Sequence, residues 1–254
     1  MNILLTNDDG IHSDGLHLLA EALKKIADVI IIAPETQRSA VGVSLSIHKP
    51  LRLIQLKKNI YISDGTPADC VALGLYKLFQ TKKLDLVVSG INAGANLAED
   101  VFYSGTVGAV IEARMHNLNG IAVSMQPANN SKKRFRFDIA AKYAVNVIKK
   151  YFCSSNKGRD EKIKTFNLNI PAVQSLKQIK GLKFTKLDSR KYPEQVIERK
   201  DSGGHSYYWL GGAPPIWQNS PDSDYNAISN KYASITPLVL DITDQNYLKK
   251  CQRK

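Results

Sequence analysis

Residues 7–10 read Asn-Asp-Asp-Gly and follow the apolar run Ile3-Leu4-Leu5. Side chains alternate along a strand, but where the backbone turns at its end, the neighbours Asp8 and Asp9 can converge. Two carboxylates at close range are costly unless one is protonated or a cation lies between them. Asp-Gly turns and N-cap aspartates are common, so the pair alone does not decide the matter. Two further stretches follow apolar runs: Glu35–Ala40 after Val29–Ala33, and Ser89–Val110 after Leu84–Val88. The surrounding donors are all oxygens, a set that suits a hard cation such as Mg²⁺ or Mn²⁺, and Ser39 and Asn92 can add neutral oxygens to Asp8 and Asp9. The histidines 12, 17, 48, 116 and 205 are scattered without metal-ligand spacing.

The third stretch contains Tyr103-Ser104-Gly105-Thr106 immediately before helical spacing begins. The first amides of a helix, with two hydroxyls beside them, form an anion site that fits a phosphate; simple N-capping by Ser104 or Thr106 is the competing reading. Neither G-x-x-x-x-G-K-[ST] nor G-x-G-x-x-G occurs in Ser89–Asn96. A metal site beside a phosphate cradle points to phosphoryl chemistry. A receiver domain would need a phospho-acceptor aspartate after its third strand, where this chain has Ser89-Gly90. A haloacid-dehalogenase phosphatase would show Asp-x-Asp, whereas here the pair is contiguous, which favours activated water over a covalent aspartyl-phosphate.

The elements that must position these residues alternate along the first part of the chain. Strands are expected at Ile3–Thr6, Val29–Ala33, Leu84–Ser89 and Ile121–Met125. Helices are expected over Leu16–Ala27, from a Thr66 N-cap with Pro67 at the first position, over Thr106–Met115 and over Ile139–Phe152. Leu45–Asp64 alternates and turns at Lys58-Asn59, as an appended hairpin would. This pattern predicts an α/β fold: a Rossmann-like, mostly parallel sheet with helices on both faces, whose ligands bind at the carboxyl ends of the strands. Beyond about Lys164 the pattern becomes β-rich, with strands expected at 165–170, 182–187, 195–200, 206–210 and 233–240, and with Gly203-Gly204 in a hairpin turn. The expected organisation is a single domain over 1–254, with a core at 1–185 and β-hairpin and C-terminal oligomerisation extensions at 186–254. Asn129–Arg136 reads as a polar linker.

The formal net charge is +12, but residues 1–100 hold 10 Lys and Arg against 11 Asp and Glu, while residues 101–254 hold 25 against 12. The basic runs, among them 132–134, 149–150 and 157–164, lack interleaved aromatics and read as solvated faces rather than a specific nucleic-acid groove. Three distant cysteines, Cys70, Cys153 and Cys251, argue for a reducing compartment and against a disulfide framework. No apolar run is long enough to span a bilayer, and Met1 runs straight into the first strand, so a cytoplasmic location is expected.

Taken together, the motifs ILLTNDDG, Arg38-Ser39, Gly65-Thr66-Pro67-Ala68-Asp69-Cys70, VVSGINAGANLAEDVFYSGTVGA, Asn167-Leu168-Asn169-Ile170-Pro171 and YASITPL at 232–238 closely resemble the SurE family, the survival-protein nucleotidases. The resemblance runs over almost the whole chain. It implies a metal-dependent phosphatase (5′-nucleotidase, EC 3.1.3.5) acting on nucleoside 5′- and 3′-monophosphates, with some members trimming short polyphosphate. It further implies one Mg²⁺ or Mn²⁺ per subunit and homodimers or homotetramers with an exchanged C-terminal segment. Position by position, it implies Asp8, Asp9, Ser39 and Asn92 as metal ligands, and Asn96, Ser104, Gly105 and Thr106 as phosphate-binding residues. Ala40 and Ala98 stand where glycines are usual, which matters if φ is positive there. His12 is the candidate general acid. Two alternatives are a broader phosphomonoesterase or exopolyphosphatase, and a nucleic-acid-binding protein with a vestigial site.

Overall fold

The computed structural model describes residues 1–128, 135–153, 163–191, 196–210 and 214–252. Most of the linker expected at 129–136, the basic runs at 132–134 and 157–162, and Gln195 lie outside the described residues. Strands β1 (Asn2–Thr6), β2 (Asp28–Pro34), β3 (Leu53–Lys57), β4 (Ile60–Ser63), β5 (Leu86–Ala93), β6 (Asn119–Met125), β7 (Thr165–Ile170), β8 (Leu182–Phe184) and β13 (Ala233–Pro237) form one sheet. Its order is β3-β4-β2-β1-β5-β6-β7-β13-β8. From β4 to β7 every neighbouring pair is parallel, and only the β3–β4 and β13–β7 pairs are antiparallel. The strand order reverses between β1 and β5, so the loops after these two strands flank the crevice in which α/β sheets bind ligands.

The strand period of two divides the core. Ile3 and Leu5 of β1 face α1 (Asp14–Leu23) and α4 (Phe137–Ile148), whereas Leu4 faces α2 (Pro67–Lys77) and α3 (Gly105–Met115). Helix α1 buries Leu16, Leu19, Ala20 and Leu23, the i, i+3, i+4, i+7 set of one helical stripe. Helix α2 opens with Thr66 and Asp69 in a reciprocal capping box behind Pro67.

The structure departs from the sequence expectations at several elements. Helix α1 stops at Leu23, where Ile26 and Ala27 both turn back to the Leu23 carbonyl. The 45–64 hairpin shrinks to β3 and β4, because the carboxylates of Asp69 and Asp64 take the Ser46 and Arg52 N–H groups away from any ladder. Strand β5 continues past Ser89 through a cis Gly90–Ile91 bond to Ala93, with a register shift against β6 between Gly90 and Asn92. Helix α4 ends at Ile148 and is followed by a wider turn over Lys149–Cys153. Strand Ala233–Pro237, grouped by the sequence with the 186–254 extensions, lies inside the main sheet, where its inward residues are buried between β7 and β8.

Four short helical pieces escape the sequence pattern: Ala98–Phe102, Leu176–Gln178, α5 (Asp224–Ser229) and α6 (Gln245–Cys251). The remaining strands stand outside the sheet. A stem pairs β9 (Arg190–Lys191) with β12 (Ile216–Trp217), and beyond it β10 (Val196–Lys200) pairs with β11 (Ser206–Leu210). Among the described residues no helix is long and apolar enough to cross a membrane.

Candidate active site

Asp8 and Asp9 leave the end of β1 in a loop that holds itself open: Asn7 Nδ2 donates to the Gly10 carbonyl, and Gly10 adopts φ +92°. Asp8 is buried, and Thr106 grips both of its oxygens. The Thr106 hydroxyl donates to Oδ1 at 2.6 Å and the Thr106 N–H to Oδ2 at 3.1 Å. This contact demands Gly105, since a Cβ there would stand 2.9 Å from the Asp8 Cβ. Asp9 is half-buried, and its Oδ2 accepts the Ala93 N–H at 3.1 Å.

Burial pushes the Asp8 carboxyl above its ordinary 3.8, against the opposing Thr106 bonds and helped by the Asp9 charge. Burial likewise raises Asp9. Among the described residues the two carboxylates are hydrogen-bonded by the Thr106 hydroxyl, the Thr106 N–H and the Ala93 N–H, all neutral donors.

The β5 extension brings Asn92 to the same edge, one residue before the Ala93 that binds Asp9. Asn92 Nδ2 donates to the Gly94 carbonyl at 2.9 Å, a bond that occupies the donor end of the amide and not Oδ1. Ser39 lies on the loop after β2. The N–H of Arg38 donates to the Asp8 carbonyl at 2.7 Å and the Gly42 N–H to the Tyr103 carbonyl at 2.8 Å, so the loop is fastened on both sides of Ser39. The Ser39 side chain is exposed and its Oγ accepts from Gln37 Nε2. Next to Ser39, Ala40 sits at φ +55°, and Ala98 at φ +50°, so both alanines adopt the left-handed backbone that favours glycine.

Four oxygens of carboxylate, amide and hydroxyl type fit a hard divalent ion, and two raised carboxylates with only neutral partners among the described residues are what such an ion would neutralise. Among the described residues no three His, Cys, Asp or Glu side chains gather as a metal site, so the candidate centre rests on two acids and two neutral oxygens.

The expected phosphate residues divide into two roles. Ser104 caps α3, accepting the Val107 N–H, and keeps its own hydroxyl hydrogen for another acceptor. In the first turn Thr106 N–H goes to Asp8, Val107 N–H to Ser104 Oγ and Gly108 N–H to the Ser104 carbonyl. That leaves Gly105 N–H as the first-turn amide these bonds do not use. Asn96 is buried, and its Nδ2 donates one hydrogen to Ser124 Oγ at 2.8 Å, leaving the second. Thr106 is fully buried, and both its hydroxyl and its N–H donate to Asp8, so it fixes that carboxylate. His12 is exposed on the turn before α1.

Sequence reasoning missed what lies behind the site. Asn167 and Asn169 of β7 hold the Asn96 backbone, and their signal was two asparagines alternating in an otherwise apolar strand. Asp224, wholly buried, accepts the N–H of Ala98, Asp188 and Tyr225, and gave no signal in the sequence.

Residues 3–194 match the family model described as survival protein SurE. Proteins called 5′-nucleotidase SurE from Geotalea uraniireducens and Mannheimia succiniciproducens are each 41% identical to this chain, over 100% and 99% of it and over 98% of their own lengths. The crystal structure of the SurE protein from Aquifex aeolicus superposes with a TM-score of 0.83 at 37% identity, covering 100% of this chain and 99% of that one. With its sheet order, its twin aspartates and this full-length similarity, the chain belongs to the SurE family.

Proposed function

We propose that this chain is a metal-dependent phosphatase that converts nucleoside 5′-monophosphates, and 3′-monophosphates, to nucleoside and phosphate, as the names of its relatives indicate for the 5′ reaction. The observation that carries this reading is the paired acid centre. Asp8 is held by Thr106 at the N-terminus of α3, and Asp9 by the Ala93 N–H at the end of β5. Asp8, Asp9, Ser39 and Asn92 would hold one Mg²⁺ or Mn²⁺. When bound, such an ion lowers the pKa of a water and polarises a phosphoryl oxygen.

The rest of the chemistry belongs to the chain. Gly105 N–H, the Ser104 hydroxyl and the remaining hydrogen of Asn96 Nδ2 donate to the phosphoryl oxygens and stabilise charge as it develops during in-line displacement. These donors are fixed before substrate arrives, so little reorganisation accompanies the reaction. Thr106 acts one step back, holding Asp8 in place.

The direct test is phosphate release from AMP and from p-nitrophenyl phosphate with Mn²⁺. Asp8→Asn and Asp9→Asn are each expected to abolish it, and turnover close to the parent in either variant would refute the assignment. A panel of 5′- and 3′-nucleotides with short polyphosphate ranks the substrate classes. The proposal extends to a homodimer or homotetramer. Its support is the exposed apolar side chains of β10, β11 and the 239–248 segment, including Tyr208, Trp209, Leu210 and Ile242.

A further inference from the structure

Asn96 leaves β5 where the sheet ladder has ended, so its backbone groups need other partners. Both come from β7, more than seventy residues later. The Asn96 N–H donates to Asn169 Oδ1 at 2.8 Å, and Asn169 Nδ2 donates to the Asn96 carbonyl at 3.0 Å. One side-chain amide therefore closes a two-point grip on one residue's backbone, as a neighbouring strand would. Asn167, two residues earlier and thus on the same face of β7, adds Nδ2 to the same carbonyl at 2.8 Å. Across the sheet Ser124 pairs in register with Asn169, and its Oγ takes one hydrogen of Asn96 Nδ2.

All three supporting residues are 0% exposed. Polar side chains there are a poor choice for stability alone. Asn167 Oδ1 has no hydrogen-bond partner among the described residues, a burial penalty that an aliphatic residue at the same place would avoid. The arrangement fixes Asn96 in position and in amide orientation, with one Nδ2 hydrogen left over.

We infer that Asn169 and Asn167 are positioning residues that set the Asn96 amide against the phosphoryl group, an inference resting on the proposed role of Asn96 in phosphate binding. Neither touches substrate; they act through Asn96. Misplacing a donor by about an ångström is enough to cost on the order of 100-fold in rate.

The test compares Asn96→Ala, Asn169→Leu, Asn169→Ser, Asn167→Ser and the double variant Asn96→Ala/Asn169→Ser. Kinetics use p-nitrophenyl phosphate with Mn²⁺, alongside inhibition by inorganic phosphate, Mn²⁺ affinity by calorimetry, and Tm. Asn169→Ser is expected to lower kcat/KM about 10- to 100-fold and to weaken inhibition by phosphate, while Mn²⁺ affinity stays at the parent value. Asn167→Ser, which removes one of two donors to the same carbonyl, should lose less. The double variant should be no worse than Asn96→Ala alone, because residues acting as one unit are not additive.

Parent-like kinetics in both Asn169 variants would overturn the inference. So would additive losses in the double variant, or Mn²⁺ affinity falling in step with activity. If no variant at 167 or 169 folds, the pair is a folding determinant and the inference is likewise overturned. If instead Asn96→Ala keeps full activity and full phosphate inhibition, the phosphate role of Asn96 fails, and the positioning role with it.

Discussion

Thr106 gives both of its donors to Asp8, its hydroxyl to Oδ1 and its N–H to Oδ2. Ser104 and Thr106 are both buried at the start of α3: Ser104 Oγ accepts the Val107 N–H, and the Thr106 hydroxyl donates to Asp8 Oδ1. Thr106→Val removes the hydroxyl bond and keeps both the N–H bond and the volume. Supporting groups of this kind are worth about 10- to 100-fold in metal affinity, so Mn²⁺ binding should weaken by that order in calorimetry with little change in Tm.

The two alanines make a contrasting pair at the same scale. An L-residue in the left-handed region costs roughly 1–2 kcal/mol. Ala40 is exposed, so Ala40→Gly relieves that strain with no packing loss, and the greater freedom of glycine in the unfolded chain offsets part of the gain. A net stabilisation of about 1 kcal/mol should raise Tm by roughly 2–4 °C. Ala98 is wholly buried, and losing its methyl forfeits about 0.8 kcal/mol of burial. Ala98→Gly should therefore move Tm less than Ala40→Gly. The sequence revealed which residue types stood at the site; which atom each would face depended on contacts from distant strands.

At the scale of elements, the parallel sheet and its helices were legible because the apolar periods are strong and the caps are chemical, as with Thr66-Pro67 before α2. What was not legible depends on partners far along the chain. The extension of β5 to Ala93 needs β6 beside it, and β13 reads like any C-terminal strand until β7 and β8 enclose it. The helical turn at Ala98–Phe102, which leads into Ser104, is held by Asp224 through the Ala98 N–H and by Glu99 through Ser189 and Arg190.

Asp224 gives this support a pH signature. Burial raises its pKa above 3.8, and the Ala98, Asp188 and Tyr225 N–H bonds only partly oppose this. A raised carboxyl binds its proton more tightly folded than unfolded. Its contribution is therefore fully present below 3.8 and is withdrawn as pH rises through the higher folded value. The Tm of the parent minus that of Asp224→Asn should decline across that window in thermal denaturation followed by circular dichroism. A flat or rising difference would contradict the burial argument.

At the scale of the whole molecule, the β10–β11 hairpin presents the clearest unmet need. All ten of its strand residues are exposed, with Trp209 at 63% and Leu210 at 87%. An isolated two-stranded hairpin is marginal in water, so a hairpin this apolar gains its stability by packing against something else. The exposed Val239, Ile242 and Tyr247 extend the same demand along the C-terminal segment. The proposed homodimer or homotetramer would meet both demands, and its consequence would reach the edge that carries Asp8 and Asp9. The hairpin grows from the β9–β12 stem, whose Arg190 is ion-paired to Asp100 in the turn that delivers Ser104. Tyr208→Ser/Leu210→Ser should shift the mass measured by light scattering from dimer or tetramer to monomer. Because the stem is anchored to that turn, the monomer should also hydrolyse p-nitrophenyl phosphate with a higher KM. A parent protein that is monomeric at tens of micromolar, or a dissociated variant with unchanged KM, would break the link between assembly and site.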